Sequence, residues 1–254
     1  MELSERQVQI AELVRVSEFL GVEELAARFN VTTQTIRRDL NALCDHGLAR
    51  RRHGGVERLA DGGNLAYPSR RILNIGAKLA IAREVANHVP NRASLAFSIG
   101  TTPEVVAQAL GGHDGLRIFT NNLNVAVTAC ANPTFDVHIA GGHLRNGDRD
   151  VLGAGTEAFF AGYKVDIGVY GVGGVEEDGT LLDFYPEEVR ARQAIRDNSR
   201  ASFLVLDHTK FGRGAHVRGG HIGDATKVFC DRRPPDDIVA LLRRGGAELI
   251  VCEG

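Results

Sequence analysis

Six of the polar residues in the short stretch TTQTIRRDLNAL, Thr33, Gln34, Thr35, Arg37, Arg38 and Asn41, alternate with the apolar residues Ile36, Leu40 and Leu43. Apolar positions at i, i+4 and i+7 mark one buried side of a helix over 33–43. Gln34, Arg38 and Asn41 then cluster on the opposite side, with Thr33 and Arg37 flanking and Thr35 completing the polar set. These side chains suit base recognition in a major groove: Arg can bond guanine bidentately, and Gln or Asn can bond adenine. Arg50, Arg51, Arg52 and His53 follow, a run suited to phosphates, which gives affinity and orientation but little sequence information.

A second set of chemistry-bearing residues recurs after short apolar runs. Ser98-Ile99-Gly100-Thr101-Thr102-Pro103 follows the first run. Gly100 permits close backbone approach, Thr102 is an N-cap residue type, and Pro103 fits the first position of a helix. Exposed amides at a helix start favour an anion, phosphate above all. The next runs end in Thr120-Asn121-Asn122, in Gly141-Gly142 and in Gly171-Val172-Gly173-Gly174. Asp207-His208-Thr209-Lys210 closes another, with Lys210 a point charge for phosphate. Small or hydrogen-bonding residues at successive strand ends predict a polar pocket for a phosphorylated small molecule along one sheet edge.

The elements that must position these residues are legible as patterns. Helical spacing runs over 4–20 and stops at Gly21; 22–29 forms a second short helix, Asn30-Val31 a turn, and Thr32 caps the helix 33–43. Leu48–Arg52 and Val56–Leu59 read as strands around His53-Gly54-Gly55, a wing. Residues 60–76, with three glycines and a proline, read as a linker. Beyond it strands at 94–98, 116–120, 135–140, 165–170, 201–207, 227–230 and 247–252 alternate with helices at 103–110, 124–131, 187–199 and 235–244. That alternation predicts an α/β domain with a mainly parallel sheet. The expected organisation is therefore a winged helix-turn-helix over 1–59, a linker over 60–76 and a larger α/β sensor domain over 77–254.

Composition fits this reading. A chain of 254 residues that is 43% hydrophobic and 24% charged is expected to form two globular domains. The net charge of −2 hides an asymmetry: six Glu face two Arg in residues 1–27, whereas seven Arg face three acids in residues 28–58. Only the local field matters to DNA within a screening length of roughly 10 Å. The four cysteines form no CxxC pair, so zinc and disulfides are not expected and a reducing cytoplasm is the expected setting. The absence of a long apolar run argues against membrane insertion. His216 with His221, and His138 with His143, lack metal-site spacing and read as loop histidines, so neither a metal nor a cofactor is expected. Gly171-Val172-Gly173-Gly174 lacks the spacing of a dinucleotide loop. Glu187, Glu188, Arg190 and Arg192 share one amphipathic helix, open to reading as intrahelical pairs or as an effector-linked or subunit contact.

The segment GVEELAARFNVTTQTIRRDLNALCDHGLARRRHGG resembles the N-terminal signature of the DeoR family of bacterial transcription regulators. IGTT, TNN, AGG and DHTKFG extend the resemblance through the second half. It implies a C-terminal domain similar in fold to ribose-5-phosphate isomerase that senses phosphorylated sugars. TTPEVVAQAL, TNNLNVA, LDFYPEEVRARQAI and DHTKFGR resemble the branch whose effector is glycerol 3-phosphate, implying that this effector releases a repressor from its operator. Two positions depart from the pattern. The family carries Asp two residues before the glycine of the GTT loop, where this chain has Ser98, and Tyr185-Pro186 replaces an Asp-Tyr pair. The expected partners are double-stranded operator DNA, a phosphorylated sugar or polyol, and further copies of the chain in a homodimer or homotetramer. The rival readings are a sugar-phosphate isomerase with an attached DNA domain, in which Asp207 and Lys210 would handle the proton, and a regulator of the same family that responds to a different sugar phosphate.

Overall fold

A computed structural model describes residues 3–57 and 64–253, which divide into two units, Met1–Ile75 and Gly76–Gly254. In the first unit, α1 (Glu5–Val16) starts with a capping box: Ser4 Oγ accepts from the Gln7 amide at 3.3 Å, and the Ser4 amide donates to Gln7 Oε1 at 2.9 Å. The helix stops four residues short of the expected end, because Phe19–Gly21 forms a strand, β1. Leu20 pairs there with Val56, and both are buried. Burying Leu20 against the wing outweighs the helical spacing that continues to it.

Then come α2 (Val22–Phe29), ended by Asn30 in the left-handed region at φ 50°, and α3 (Thr33–Asp45). Thr32 caps α3 by accepting from the Thr35 amide at 3.2 Å. β2 (Arg50–Arg52) and β3 (Gly55–Glu57) complete a three-stranded wing in the order β1-β3-β2. A Cβ on Gly55 would lie 2.0 Å from the Leu20 carbonyl oxygen, so this closeness of strands requires glycine. Arg58 and Leu59, the expected end of the second wing strand, lie outside the described residues. Ile10, Val14, Leu25, Ile36, Leu40, Leu43 and Val56 form the core of the unit. The region expected as a linker contains a helix, α4 (Tyr67–Ile72), whose Ser69 hydroxyl donates to the His46 carbonyl, while Leu73 joins the core. Six residues carrying a proline give too little periodicity to read; tertiary contacts hold the helix.

The second unit runs α5 (Ile75–Asn87), β4 (Ser94–Phe97), α6 (Thr101–Ala109), β5 (Arg117–Thr120), α7 (Leu123–Ala129), β6 (Asp136–Ile139), β7 (Leu144–Arg145), β8 (Asp150–Val151) and α8 (Ala154–Ala161). It continues with β9 (Val165–Tyr170), β10 (Gly174–Val175), β11 (Thr180–Asp183), α9 (Pro186–Asp197), β12 (Ser199–Val205), β13 (Val217–His221), β14 (Lys227–Cys230), α10 (Asp236–Gly245) and β15 (Glu248–Val251). Seven of these strands make one parallel sheet in the order β15-β14-β12-β9-β4-β5-β6. Alternation sorts its side chains: Leu95 and Phe97 enter one core with Ile81, Val85 and Val106, and Ala96 enters the other with Tyr170, Ile195 and Leu204. β10, β11 and β13 form a small antiparallel sheet, and β7 pairs with β8 as a hairpin.

Candidate functional site

On α3 the buried side carries Ile36, Asp39, Leu40 and Leu43, while Gln34, Arg37, Arg38 and Asn41 are exposed. Thr33 and Thr35 are half-buried, and Thr35 belongs to the cap, its Oγ1 lying 3.0 Å from that of Thr32. The acid of the RRDL motif does not share the arginine face. Asp39 is 4% exposed and accepts from Arg6 Nε at 2.7 Å and from Gln7 Nε2 at 2.9 Å, which ties α3 to α1. Among the described residues Arg37 and Arg38 have no acid partner, so both guanidiniums are available to DNA.

The wing arginines are unequal. Arg50 Nε donates to Glu57 Oε1 at 2.5 Å and Arg52 Nη1 to Glu57 Oε2 at 3.0 Å. Those arginines hold the Glu57 carboxyl below its usual range, Arg50 contributing most. Arg51 projects from the opposite side of β2, without an acid partner among the described residues. It and His53, beside the positive-φ turn at Gly54, are exposed. Of the four wing residues expected to meet phosphates, Arg51 and His53 are exposed without an acid partner among the described residues, and Arg50 and Arg52 are engaged by Glu57.

In the second unit Ser98, Gly141, Gly171 and Asp207 follow β4, β6, β9 and β12 and Thr120 ends β5, and these five strands of the parallel sheet are contiguous. Their ends therefore lie along one edge. Ser98 is buried, its amide donating to the Val169 carbonyl at 3.0 Å. Gly100 (φ 122°) is the N-cap of α6, and no side chain caps this start. Thr102 is therefore the second helical residue rather than the cap, and Pro103 the third rather than the first. The helix begins earlier because Gly100 reaches a backbone angle that a threonine would resist. Thr101 and Thr102 place their amides at that helix start and are nearly buried. Gly171 lies beside it, since a Cβ there would stand 3.7 Å from Pro103 Cδ.

At the end of β5, Thr120 Oγ1 donates to the Phe97 carbonyl at 3.0 Å and accepts from the Asn122 amide at 3.0 Å. Asn121 Nδ2 donates to the Val151 carbonyl at 2.8 Å, and Asn122 Oδ1 caps α7 through the Asn124 amide at 2.9 Å. The opposite ends of these amides, Asn121 Oδ1 and Asn122 Nδ2, are buried without a partner among the described residues, as is Asn124 Nδ2. A buried unpaired polar atom costs roughly 1–3 kcal/mol, so three of them close together set this strand end apart.

Other expected members serve the fold. Gly142 (φ 146°) admits Val151, whose Cγ1 would stand 2.8 Å from a Cβ; Gly141 beside it is exposed. Gly173 donates from its amide to Asp183 Oδ1 at 2.7 Å and packs on β11. Asp207 caps the short 3-10 helix His208–Lys210, accepting from the Thr209 amide at 3.0 Å. Burial pushes the Asp207 carboxyl up, but Lys210, Thr209 and Lys78 outweigh it and hold it below its usual range. A carboxylate held ionised and already capping a helix is a weak base. Lys78, buried on α5, was not foreseen, because α5 begins inside the expected linker.

The helix 187–199 divides differently from the expected charged face. Arg190 is exposed and pairs with Glu187 at 3.0 Å and Glu157 at 2.9 Å. Arg192, 3% exposed, is instead paired with Asp183 at 2.8 Å and donates to the Gly219 carbonyl at 2.8 Å. Glu188 is also buried and faces Arg145 on the hairpin, at 2.9 Å. Arg145 further makes two bonds to the fully buried Asp150, at 2.7 and 2.6 Å, and stacks over Tyr185 at 5.2 Å. Sequence reasoning missed Arg145, Asp148 and Asp150, whose only signal is a run of alternating charge in a Gly-rich loop. Among the histidines, His138 stacks on Phe119 at 4.8 Å, and His221 Nδ1 accepts from the Gly223 amide at 3.0 Å.

Comparison with known proteins follows the same division. Residues 6–61 match the DeoR-like helix-turn-helix domain, and residues 73–232 match the DeoR C terminal sensor domain. The glycerol-3-phosphate regulon repressor of Escherichia coli K12 is 41% identical over 252 residues, covering 99% of this chain and 100% of its own. That of Haemophilus influenzae is 43% identical over 254 residues, covering 100% of this chain and 99% of its own. Ribose 5-phosphate isomerase A of Methanocaldococcus jannaschii aligns over 54% of this chain and 55% of its own, with a TM-score of 0.40 and 16% identity. With both domain models matched and relatives similar from end to end, the chain belongs to the DeoR family of helix-turn-helix transcription regulators.

Proposed function

We propose that this protein is a transcriptional repressor whose hold on operator DNA is controlled by glycerol 3-phosphate. The observation that carries the DNA half is the exposed face of α3, where Gln34, Arg38 and Asn41 lie clear of Asp39, which is turned inward onto Arg6, and the exposed acid Asp45 comes only at the last residue of the helix. Gln34, Arg37, Arg38 and Asn41 read bases, Thr33 and Thr35 set the start of the helix, and Arg51 with His53 meets phosphates. The relatives named as glycerol-3-phosphate regulon repressors supply the effector.

In the sensor, the start of α6 at Gly100, Thr101 and Thr102 receives the phosphate, with Ser98 and Gly171 beside it. Lys210, held by Asp207, adds positive charge at the same sheet edge. Thr120, Asn121 and Asn122 take the polyol end. The unpaired amides support this division, since hydroxyls both donate and accept. The protein acts as a homodimer or homotetramer, which presents two recognition helices about one DNA turn (~34 Å) apart. Effector binding favours the sensor conformation that releases the operator; equal affinity for both conformations would shift nothing.

Selection of DNA from a random pool by the full-length protein tests the DNA half. The expected product is one enriched, two-fold-related motif; a pool with no enriched sequence would contradict it.

A further inference from the structure

We infer that Asp148, Asp150 and Glu188, held together by Arg145 and joined by Asn122, form the hydroxyl-reading subsite that makes the sensor selective for a phosphorylated polyol over a bare phosphate ester. This rests on the phosphorylated-effector reading and adds residues that it does not contain. The carboxylate oxygens of the three acids lie within 4.8 Å of one another. One guanidinium holds them: Arg145 Nη2 reaches Asp150 Oδ2 at 2.6 Å, Glu188 Oε1 at 2.9 Å and Asp148 Oδ2 at 3.5 Å. Three acids share one guanidinium, so the cluster offers acceptors for hydroxyl protons and no surplus positive charge for a phosphate. Arg145 takes an oxygen from each acid and so fills the place that a cation would need.

The unpaired amides point independently to a ligand. Asn122 is paired backbone to backbone with Asp150 and is fully buried. Its Oδ1 is committed to the α7 amides, which leaves Nδ2 on the side away from α7, unpartnered. Asn121 is pinned to β8 through Val151, and Asn124 to the hairpin through Arg149 Nη1 at 3.4 Å. Each keeps one unmet group, an acceptor on Asn121 and donors on Asn122 and Asn124. Unmet donors and acceptors beside carboxylates suit vicinal hydroxyls. The start of α6 follows β4, the strand next to β5, so phosphate and hydroxyl ends are separated by a strand spacing of roughly 5 Å.

The test is calorimetric titration of the full-length protein with glycerol 3-phosphate and with n-propyl phosphate, which keeps the phosphate and lacks the hydroxyls. The wild-type chain is expected to prefer glycerol 3-phosphate. Glu188→Gln and Asp148→Asn are each expected to reduce that preference at least about tenfold, mainly by weakening glycerol 3-phosphate. Asp148 lies at the hairpin turn, so its variant remains informative if Glu188→Gln loses the native thermal transition. Variants that fold and keep the wild-type preference overturn the subsite, as does a wild-type protein that binds both compounds equally; in either case the phosphorylated-effector reading stands. A wild-type protein that binds neither compound overturns that reading and the subsite with it.

Discussion

Arg6 and Asp39 are joined across two helices at 2.7 Å, the Asp39 side chain 6% exposed and that of Arg6 34%. Asp39 lies between Arg38, which faces solvent, and Leu40, which is buried in the core. The link therefore fixes the rotation of α3 about its own axis, and with it the direction in which Arg38 points. Gln7 adds a second bond to the same carboxylate and is itself fixed by the capping box with Ser4. Helix capping, brace and base-reading face form one chain of contacts.

Asp39→Ala should remove two hydrogen bonds at once and cost about 1–3 kcal/mol of stability of the N-terminal unit. Chemical denaturation followed by circular dichroism measures it. Operator affinity should fall as well, since the recognition helix loses its brace. An unchanged unfolding midpoint would show that the contact is ornamental.

Arg38→Ala should abolish discrimination between operator and unrelated DNA, each good bidentate contact being worth about 1–3 kcal/mol. Sugar-phosphate binding should survive, because Arg38 lies in the first unit. Competition binding against scrambled DNA gives the ratio, and retained discrimination would move the reading helix elsewhere.

The wing makes a graded prediction. Arg51→Ala should reduce the slope of log affinity against log salt by about 1, since a free arginine releases a counterion when it meets a phosphate. Arg50→Ala and Arg52→Ala should reduce it less, because Glu57 already neutralises part of each charge. Equal slopes for the three variants would contradict this ranking.

Glu188 sets a pH dependence of stability. Burial pushes its carboxyl up to about 7 despite Arg145, with Asp183 and Asp148 adding to the rise. An acid whose folded pKa exceeds its unfolded value of 4.5 contributes stability that is present below pH 4.5 and lost as pH rises through about 7. Arg145, Asp148, Asp150 and Asp183 are the charged groups around it. The thermal midpoint should decline from pH 5 to 7.5, and Glu188→Gln should flatten this part of the profile. A variant that declines as steeply as the wild type would place the titration on another group.

Much of this architecture can be read from residue patterns. Ile36, Leu40 and Leu43 show the buried side of α3, and β-branched runs such as 165–170 and 227–230 show the strands of the parallel sheet. What escaped depends on tertiary pairing. Leu20 continues a helical spacing and yet sits in a strand, because its partner Val56 is distant in sequence. Asp39 reads as one charge among many until Arg6 is brought to it. The same holds at the sensor: Thr120, Asn121 and Asn122 stand out by type, whereas Arg145 and Asp150 show only a run of alternating charge, and their link to Glu188 forms only when the hairpin meets α9. Lys78 was hidden because a glycine-containing segment at the start of α5 reads as linker.

The most direct test of the central claim is fluorescence anisotropy of a selected operator fragment bound by the full-length protein, at fixed salt, with glycerol 3-phosphate titrated in. The account predicts operator affinity weakened at least about tenfold, a coupling of roughly 1.4 kcal/mol, and unrelated DNA affected less. Operator binding that is tight and indifferent to glycerol 3-phosphate at saturating concentration would contradict it.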